Sequence, residues 1–354
     1  MKRSLIIIII CMLLTGCTPR DGIYANFRPL EQLRLVETLG YDTGPTLSAA
    51  VAKTEAEPTL TLSARGRSLP DAVDALQAKT DRGALFFAHV RYVLLGEAAA
   101  TEGFAPLMDY MERDVRMRLD TELFLLDCDA MQVLTAEVEE FDVTAALDAA
   151  KRESEAQACG LVLDFRETAL KLSEYGAAPV MLLRCEFPQD KPPRLEPSGC
   201  GVLREGRLAG TLDRPLAETL GLLLGTDGVL TRETETATLL CRGGGTVSLT
   251  GRTEEAPAFS LRLEVAASVD EARGPVDADA LETELKTLLE SDAAALTDDL
   301  RAMDADLLEL GGLLRRSGLH PAEGWLRRAE FAIEAEVTVD RSYDLEQPMS
   351  AVNS

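Results

Sequence analysis

The residue with the plainest chemistry is a cysteine that ends an apolar run. Met1 to Cys17 reads MKRSLIIIIICMLLTGC, with Lys2 and Arg3 at the start and unbroken apolar residues from Leu5 to Leu14. A basic start, a short apolar core and a small-residue cleavage site make a secretory signal peptide over residues 1–16. The core falls short of the roughly 20 residues that cross a bilayer as a helix. Leu14-Thr15-Gly16-Cys17 looks like a lipobox, in which the thiol takes a diacylglyceryl group and the chain is cut just before it. Cys17 is then the first residue of the mature protein and its lipidation site. Two or more acyl chains, each buried methylene contributing about 0.8 kcal/mol, form a stable anchor.

No other residues announce a reaction. The chain has two histidines. His89 stands in an apolar stretch without Cys or His at ligand spacing, and His320 precedes Pro321 in a turn-like segment. Neither an H-E-x-x-H nor a C-x-x-C metal pattern occurs, nor G-x-S-x-G, a P-loop or a dinucleotide fingerprint. The glycines Gly243-Gly244-Gly245 read as a turn rather than a phosphate cradle. With 60 acidic residues, a catalytic carboxylate pair would be an arbitrary choice; Glu97 and Asp114 alone sit in patterned surroundings. Arg113, Asp114, Arg116 and Arg118 suggest a charge network that supports structure. The residues therefore assign no catalytic group, cofactor, metal or small-molecule ligand.

The elements that carry these residues belong to a folded body. The 354 residues carry a formal charge of −24; without Lys2 and Arg3, 34 basic residues face 60 acidic ones, a charge of −26. Such a body is repelled by nucleic acid and by anionic lipid heads, so membrane contact falls to the lipid or to a protein partner. After Cys11 leaves with the signal peptide and Cys17 takes lipid, Cys128, Cys159, Cys185, Cys200 and Cys241 remain. They read mainly as small buried residues, with a disulfide of Cys185 to Cys200 or Cys241 as the other option.

Residues 17–28 form a lipidated N-terminus and spacer. Alternation predicts strands at Leu33–Asp42, Thr46–Lys53 and Thr59–Arg65, then a helix capped by Ser68 with Pro70 in its first turn. Leu85–Leu95 reads as one buried strand, Phe104–Met111 as a helix, and Arg118–Leu126 as a strand. Helices at Phe141–Ala158 and Phe165–Tyr175 and a strand at Ala178–Phe187 complete an N-terminal α+β domain, residues 29–190. Gln189–Pro197, with three prolines, reads as a linker. A middle domain, 198–250, opens with the hairpin Gly201–Leu212, turning at Glu205-Gly206, and the helix Leu216–Leu224. Val229–Val269 holds three alternating runs, broken at Gly243–Gly245 and Glu254–Pro257. The C-terminal domain, 251–347, carries a long helical pattern over Asp279–Arg316 and a closing strand at Phe331–Tyr343. A break is expected near Ser291–Thr297 or at Gly311-Gly312.

The stretch LFFAHVRYVLLGEAAATEGFAPLMDYMERDVRMR, Leu85 to Arg118, resembles the Ger(x)C family of spore germinant receptor C subunits. The pattern is an apolar strand with His89, then Gly96-Glu97, Ala99 and Gly103, then Arg113-Asp114 and Arg118. Three further blocks agree in order: Leu30-Glu31 to Gly40 and Asp42; Gly201–Leu212; and Asp306–Gly311 with Trp325. The chain departs from the pattern at Glu309, where glycine is usual, at Leu310, where an aromatic is common, and just after Cys17, where an aromatic is usual. The resemblance implies an α+β fold of three successive mixed domains, mainly antiparallel sheets with packed helices. It implies a non-enzymatic subunit acting in nutrient-triggered germination with two integral membrane subunits, A and B. It places the protein on the outer face of the cytoplasmic membrane, the inner membrane of the spore. His89, Glu97, Arg113, Asp114 and Arg118 are the candidate structural or interaction residues. The competing reading is a solute-binding lipoprotein of a transporter, a class that favours two doubly wound lobes around a cleft.

Overall fold

The computed structural model describes residues 32–52, 60–80, 83–136, 141–157, 159, 161–189, 191–251, 253–273 and 276–340. Cys17, the signal segment and the spacer lie outside the described residues, as does the end of the closing strand beyond Asp340.

The first sheet grows from a strand with two buried faces. β1 (Leu33–Asp42) pairs antiparallel with β2 (Thr46–Val51), which pairs with β3 (Leu60–Arg65). On its other side β1 runs parallel to the short β4 (Ala84–Phe86) and to β5 (Tyr92–Gly96). β5 is parallel to β6 (Glu122–Leu126), and β6 to β7 (Ala177–Glu186). β7 then pairs antiparallel with β8 (Arg194–Arg204), and β8 with β9 (Arg207–Asp213).

Parallel strands need crossovers, and these cover both faces. Val93 and Leu95 face one layer, with Leu76 of α1 (Leu69–Ala78), Ala99 of α2 (Glu97–Glu102), and Leu107 and Met111 of α3 (Ala105–Arg113). Tyr92 and Leu94 face the other, with Val133 of α4 (Ala130–Leu134) and Leu147 of α5 (Val143–Ala156). That double cover explains why YVLLG and ELFLL are apolar without alternation. α6 (Phe165–Tyr175) starts on a capping box, with Asp164 and Glu167 each satisfying the other's backbone N–H.

A second sheet has the order β10 (Leu230–Glu233), β11 (Ala237–Gly251), β12 (Ala258–Ala272), β13 (Glu330–Val339). Its last pairing is parallel, closed by a crossover through α8 (Ala278–Met303) and α9 (Leu310–Arg316). Leu281, Leu285, Leu289, Leu296 and Leu300 of α8 pack on Phe259, Leu261 and Leu263. Between the sheets lies α7 (Arg214–Leu224), buried at every residue from Ala217 to Leu223. Its core joins Cys200, Val202 and Leu212 of the first sheet to Leu239, Cys241 and Leu261 of the second. The fold is thus mixed α/β, with two mainly antiparallel sheets and packed helices.

Several expectations are revised, each for a physical reason. The segment expected to be a linker lies inside the first sheet: β7 and β8 pair from Ala177↔Arg204 to Glu186↔Arg194. Pro197 is accommodated where the register shifts at Leu182/Leu183, a bulge that spares a ladder donor. The hairpin at Glu205-Gly206 therefore extends the first sheet, and β11 ends at the expected 250/251 boundary without a change of sheet. Gly243–Gly245 is no turn but the middle of β11. A Cβ on Gly245 would stand 2.8 Å from Leu223 Cδ2 and 3.1 Å from Leu223 Cα, so glycine admits α7 at close range. A Cβ on Gly243 would meet the Glu264 carbonyl oxygen at 2.1 Å.

Leu85–Leu95 is broken by a 3-10 turn at Phe87–His89, which carries His89 out of the strand. The long helix runs through Ser291–Thr297, because Ala293, Leu296 and Thr297 continue its buried stripe, and it stops at Asp304 in the left-handed region. Gly311 and Gly312 fall inside α9. The five described cysteines are free. Cys200 and Cys241 lie in the core around α7 and Cys185 beside the core under α5, so the alternative disulfides do not form, and Cys159, Cys200 and Cys241 are buried as read.

Candidate interaction site

The Arg-Asp stretch follows α3. Leu107 and Met111 bury one face of that helix, and the chain leaves it at Asp114 in an extended conformation. The Asp114 carboxylate accepts from Tyr110 Oη at 2.6 Å, Arg116 N at 2.9 Å and Arg116 Nη2 at 2.6 Å. Burial opposes its ionisation, but the hydrogen bonds from Arg116 and Tyr110 win and hold its carboxyl down at about 2. Burial and the Asp114 carboxylate push the Tyr110 hydroxyl up. Asp114 is thus the knot that turns the chain after α3. Arg113 and Arg118 do not join it: Arg113 Nε donates to Asp109 Oδ1 at 2.6 Å, and Arg118 pairs with Asp120. The expected single network is three separate pairs, because successive side chains leave the turn in different directions.

These residues line two clefts. The larger, about 920 Å³, lies between the β1–β2 turn, the start of α1, and α2 and α3. Arg113, Asp114 and Arg116 form one wall and Tyr41, Arg67 and Leu69 another. Val115 stands on its rim with 94% of its surface exposed, an apolar side chain between two arginines. The smaller cleft, about 290 Å³, brings His89 and Arg118 together with Arg91, Asp148 and Lys151. His89 Nε2 is 4.0 Å from Glu37 Oε1. Tyr92 Oη donates to Asp148 Oδ1 at 2.5 Å, and Arg91 Nη2 donates to the same oxygen at 2.6 Å.

Glu97 joins neither cleft. It is exposed at the first position of α2, where a negative charge complements the helix dipole. Its neighbour Gly96 is the informative one. A Cβ there would lie 2.3 Å from Asp42 Oδ1. Asp42 in turn accepts from Ala130 N at 2.7 Å and Met131 N at 2.8 Å, clamping the start of α4. Gly40 is tight against Ala130 and Leu134 of the same helix. The later block repeats the device: Asp306 accepts from Leu310 N at 2.8 Å and Gly311 N at 2.7 Å at the start of α9. Burial pushes the Asp306 carboxyl up to about 6, against those bonds. Glu309, where glycine is usual, has φ +60. Sequence reasoning named these glycines and aspartates as a pattern but missed that they hold helix starts. It also missed Tyr110, Val115 and Asp148, whose only local signal is spacing from the arginines.

Every arginine of the larger cleft has an acidic partner, so its wall is polar but nearly neutral, with an apolar rim at Val115. Such a surface suits contact with a polypeptide better than capture of a small anion.

Known proteins share parts of this sequence and its fold. Residues 26–154 match the family described as Spore germination protein N-terminal domain. A curated relative, the Putative spore germination protein YfkR of Bacillus subtilis (strain 168), is 30% identical over 146 residues. That stretch is 37% of this chain and 37% of the relative, so it spans little more than a third of the relative's length. The crystal structure of the GerBC protein shares the fold with a TM-score of 0.54 at 14% identity, covering 85% of this chain and 96% of that one. The N-terminal part of the chain is thus similar to the N-terminal domain of spore germination proteins. Beyond residue 154, the likeness is one of fold, shared with GerBC.

Proposed function

We propose that the chain is the lipid-anchored, non-enzymatic C subunit of a spore germinant receptor, working with two integral membrane subunits in nutrient-triggered germination. The observation that carries this reading is the N-terminal family match set within a fold shared with GerBC over 85% of the chain. Cys17 is its anchor, and the protein sits on the outer face of the cytoplasmic membrane, the inner membrane of the spore. A body of charge −26 after removal of Lys2 and Arg3 gains nothing from an anionic bilayer, so the lipid holds it and protein partners orient it. Among the described residues no helix is long and apolar enough to cross a membrane. The cleft wall Arg113–Arg116 with Val115 is the surface offered to the partners. A solute-binding lipoprotein finds less support, because the two sheets share one core through α7 instead of forming two lobes.

Spores lacking the gene, in a strain without a redundant receptor set, should lose germination with at least one nutrient. Unchanged germination with every nutrient tried would refute the receptor role. Cys17→Ala should move the protein out of the membrane fraction when its partners are absent; persistence there would refute the lipid as main tether.

A further inference from the structure

β6 and β7 run parallel with Leu126 opposite Leu183. Two residues further along each strand direction, Cys128 and Cys185 are neighbours, with Asp127 beside them. Cys185 N donates to Asp127 Oδ1 at 2.8 Å, which fixes the carboxylate against β7. A carboxylate oxygen of Asp127 and the Sγ atoms of Cys128 and Cys185 all lie within 4.8 Å of one another. Asp127 is exposed and both cysteines are half-buried, so the trio sits at the edge of the surface. The other three described cysteines are buried.

The chemistry of the trio is specific. Two sulfurs and one carboxylate oxygen suit a borderline or soft divalent cation, whereas magnesium and calcium call for six or more oxygens. In a tetrahedral zinc site with Zn–S near 2.3 Å, two sulfurs lie about 3.8 Å apart, so a small closure of these side chains completes three positions. The fourth faces water, as in sites that keep an open position.

We propose that Asp127, Cys128 and Cys185 form a surface site for a thiolate-binding divalent cation of the zinc class, with one position open to an exogenous ligand. Binding converts two thiols to two thiolates and releases two protons to solvent, with no change of oxidation state.

The test uses the reduced full chain. Titration with Cd2+, followed by the ultraviolet thiolate-to-cadmium band, and competition by Zn2+ report the site. One equivalent should be lost, or weakened at least tenfold, in Cys128→Ser and in Cys185→Ser. Asp127→Asn should weaken binding while keeping the band, and Cys200→Ser should change neither. Mass spectrometry of the chain without substitutions gives a second readout, free of any folding effect of the variants: Zn2+ should slow alkylation of Cys128 and Cys185 relative to the metal-free chain. Equal Cd2+ stoichiometry in the unmodified chain and in the Cys128→Ser/Cys185→Ser variant overturns the proposal. So does a Cys128–Cys185 disulfide that binds no Cd2+ once reduced.

Discussion

Arg232 is nearly buried at the junction of the two sheets, and its removal tests how that junction is held. It lies on β10, with 6% of its side chain exposed, between Glu218 of α7 (2%) and Asp292 of α8 (15%). Its guanidinium bonds Glu218 and donates to the carbonyl oxygens of Thr231 at 3.2 Å and Pro215 at 3.3 Å. Asp292 Oδ2 is 3.4 Å away, an ion-pair contact without hydrogen-bond geometry. Glu218 keeps a second partner, Arg214, at 2.9 Å. Arg232→Met keeps much of the volume but leaves Glu218 half-compensated and Asp292 bare. Breaking a buried pair from one side costs roughly 3–5 kcal/mol, a third or more of the roughly 5–15 kcal/mol that holds a protein folded. Arg214→Met, at a side chain 41% exposed, is the control and should cost less than about 1 kcal/mol. The sign with pH is fixed. In Arg232→Met the Asp292 carboxyl, already pushed up by burial, loses the cation that lowers it, so the folded state binds more protons than the unfolded state. The loss must therefore grow as pH rises from 5 to 8. Urea unfolding at several pH values, with the slope m compared between variants, measures this. A cost under about 1 kcal/mol at pH 7, or one that does not change with pH, would falsify the argument that this cation holds the junction.

Other residues give independent tests. Gly96→Ala sets a methyl 2.3 Å from Asp42 Oδ1 and should cost about 2–3 kcal/mol by loosening two buried N–H groups of α4; a thermal melt unchanged within a degree would count against the clamp. Asp306, raised to about 6 from its ordinary 3.8, should make the protein lose stability as pH rises from about 4 to 6, by about 3 kcal/mol in all. An NMR titration of Asp306 with a midpoint below 4 contradicts this. Glu309→Gly removes a left-handed non-glycine residue and also its ion pair with Lys171. Relief of roughly 1 kcal/mol of backbone strain should match or exceed the loss of a surface pair, so a chemical melt showing net destabilisation above 1 kcal/mol would reject it.

Legibility followed locality. β1 and α6 match the sequence expectation from end to end, because alternation over Leu33–Asp42 and the capping box at Asp164 are properties of adjacent residues. Ser68 caps α1 as its position suggests. What escaped depends on distant partners. Gly245 is unreadable without Leu223 pressed against it, and the prolines near 193 look like a linker until β8 is seen beside β7. In the candidate site, the residue types were visible and their pairing was not. Asp114 and Arg116 pair as a linear reading allows, but Asp109 and Asp120 take Arg113 and Arg118, and Tyr110 joins Asp114.

The position of β1 inside its sheet bears on how the molecule answers a pull. It is the first described strand, yet it lies between β2 and β5 rather than at an edge. Tension entering at Leu33 runs along the strand axis and loads the hydrogen bonds on both flanks together, in shear. An edge strand would instead peel, one bond after another. A body tugged from its N-terminal side therefore moves as a stiff unit and passes the displacement through α7 to the second sheet.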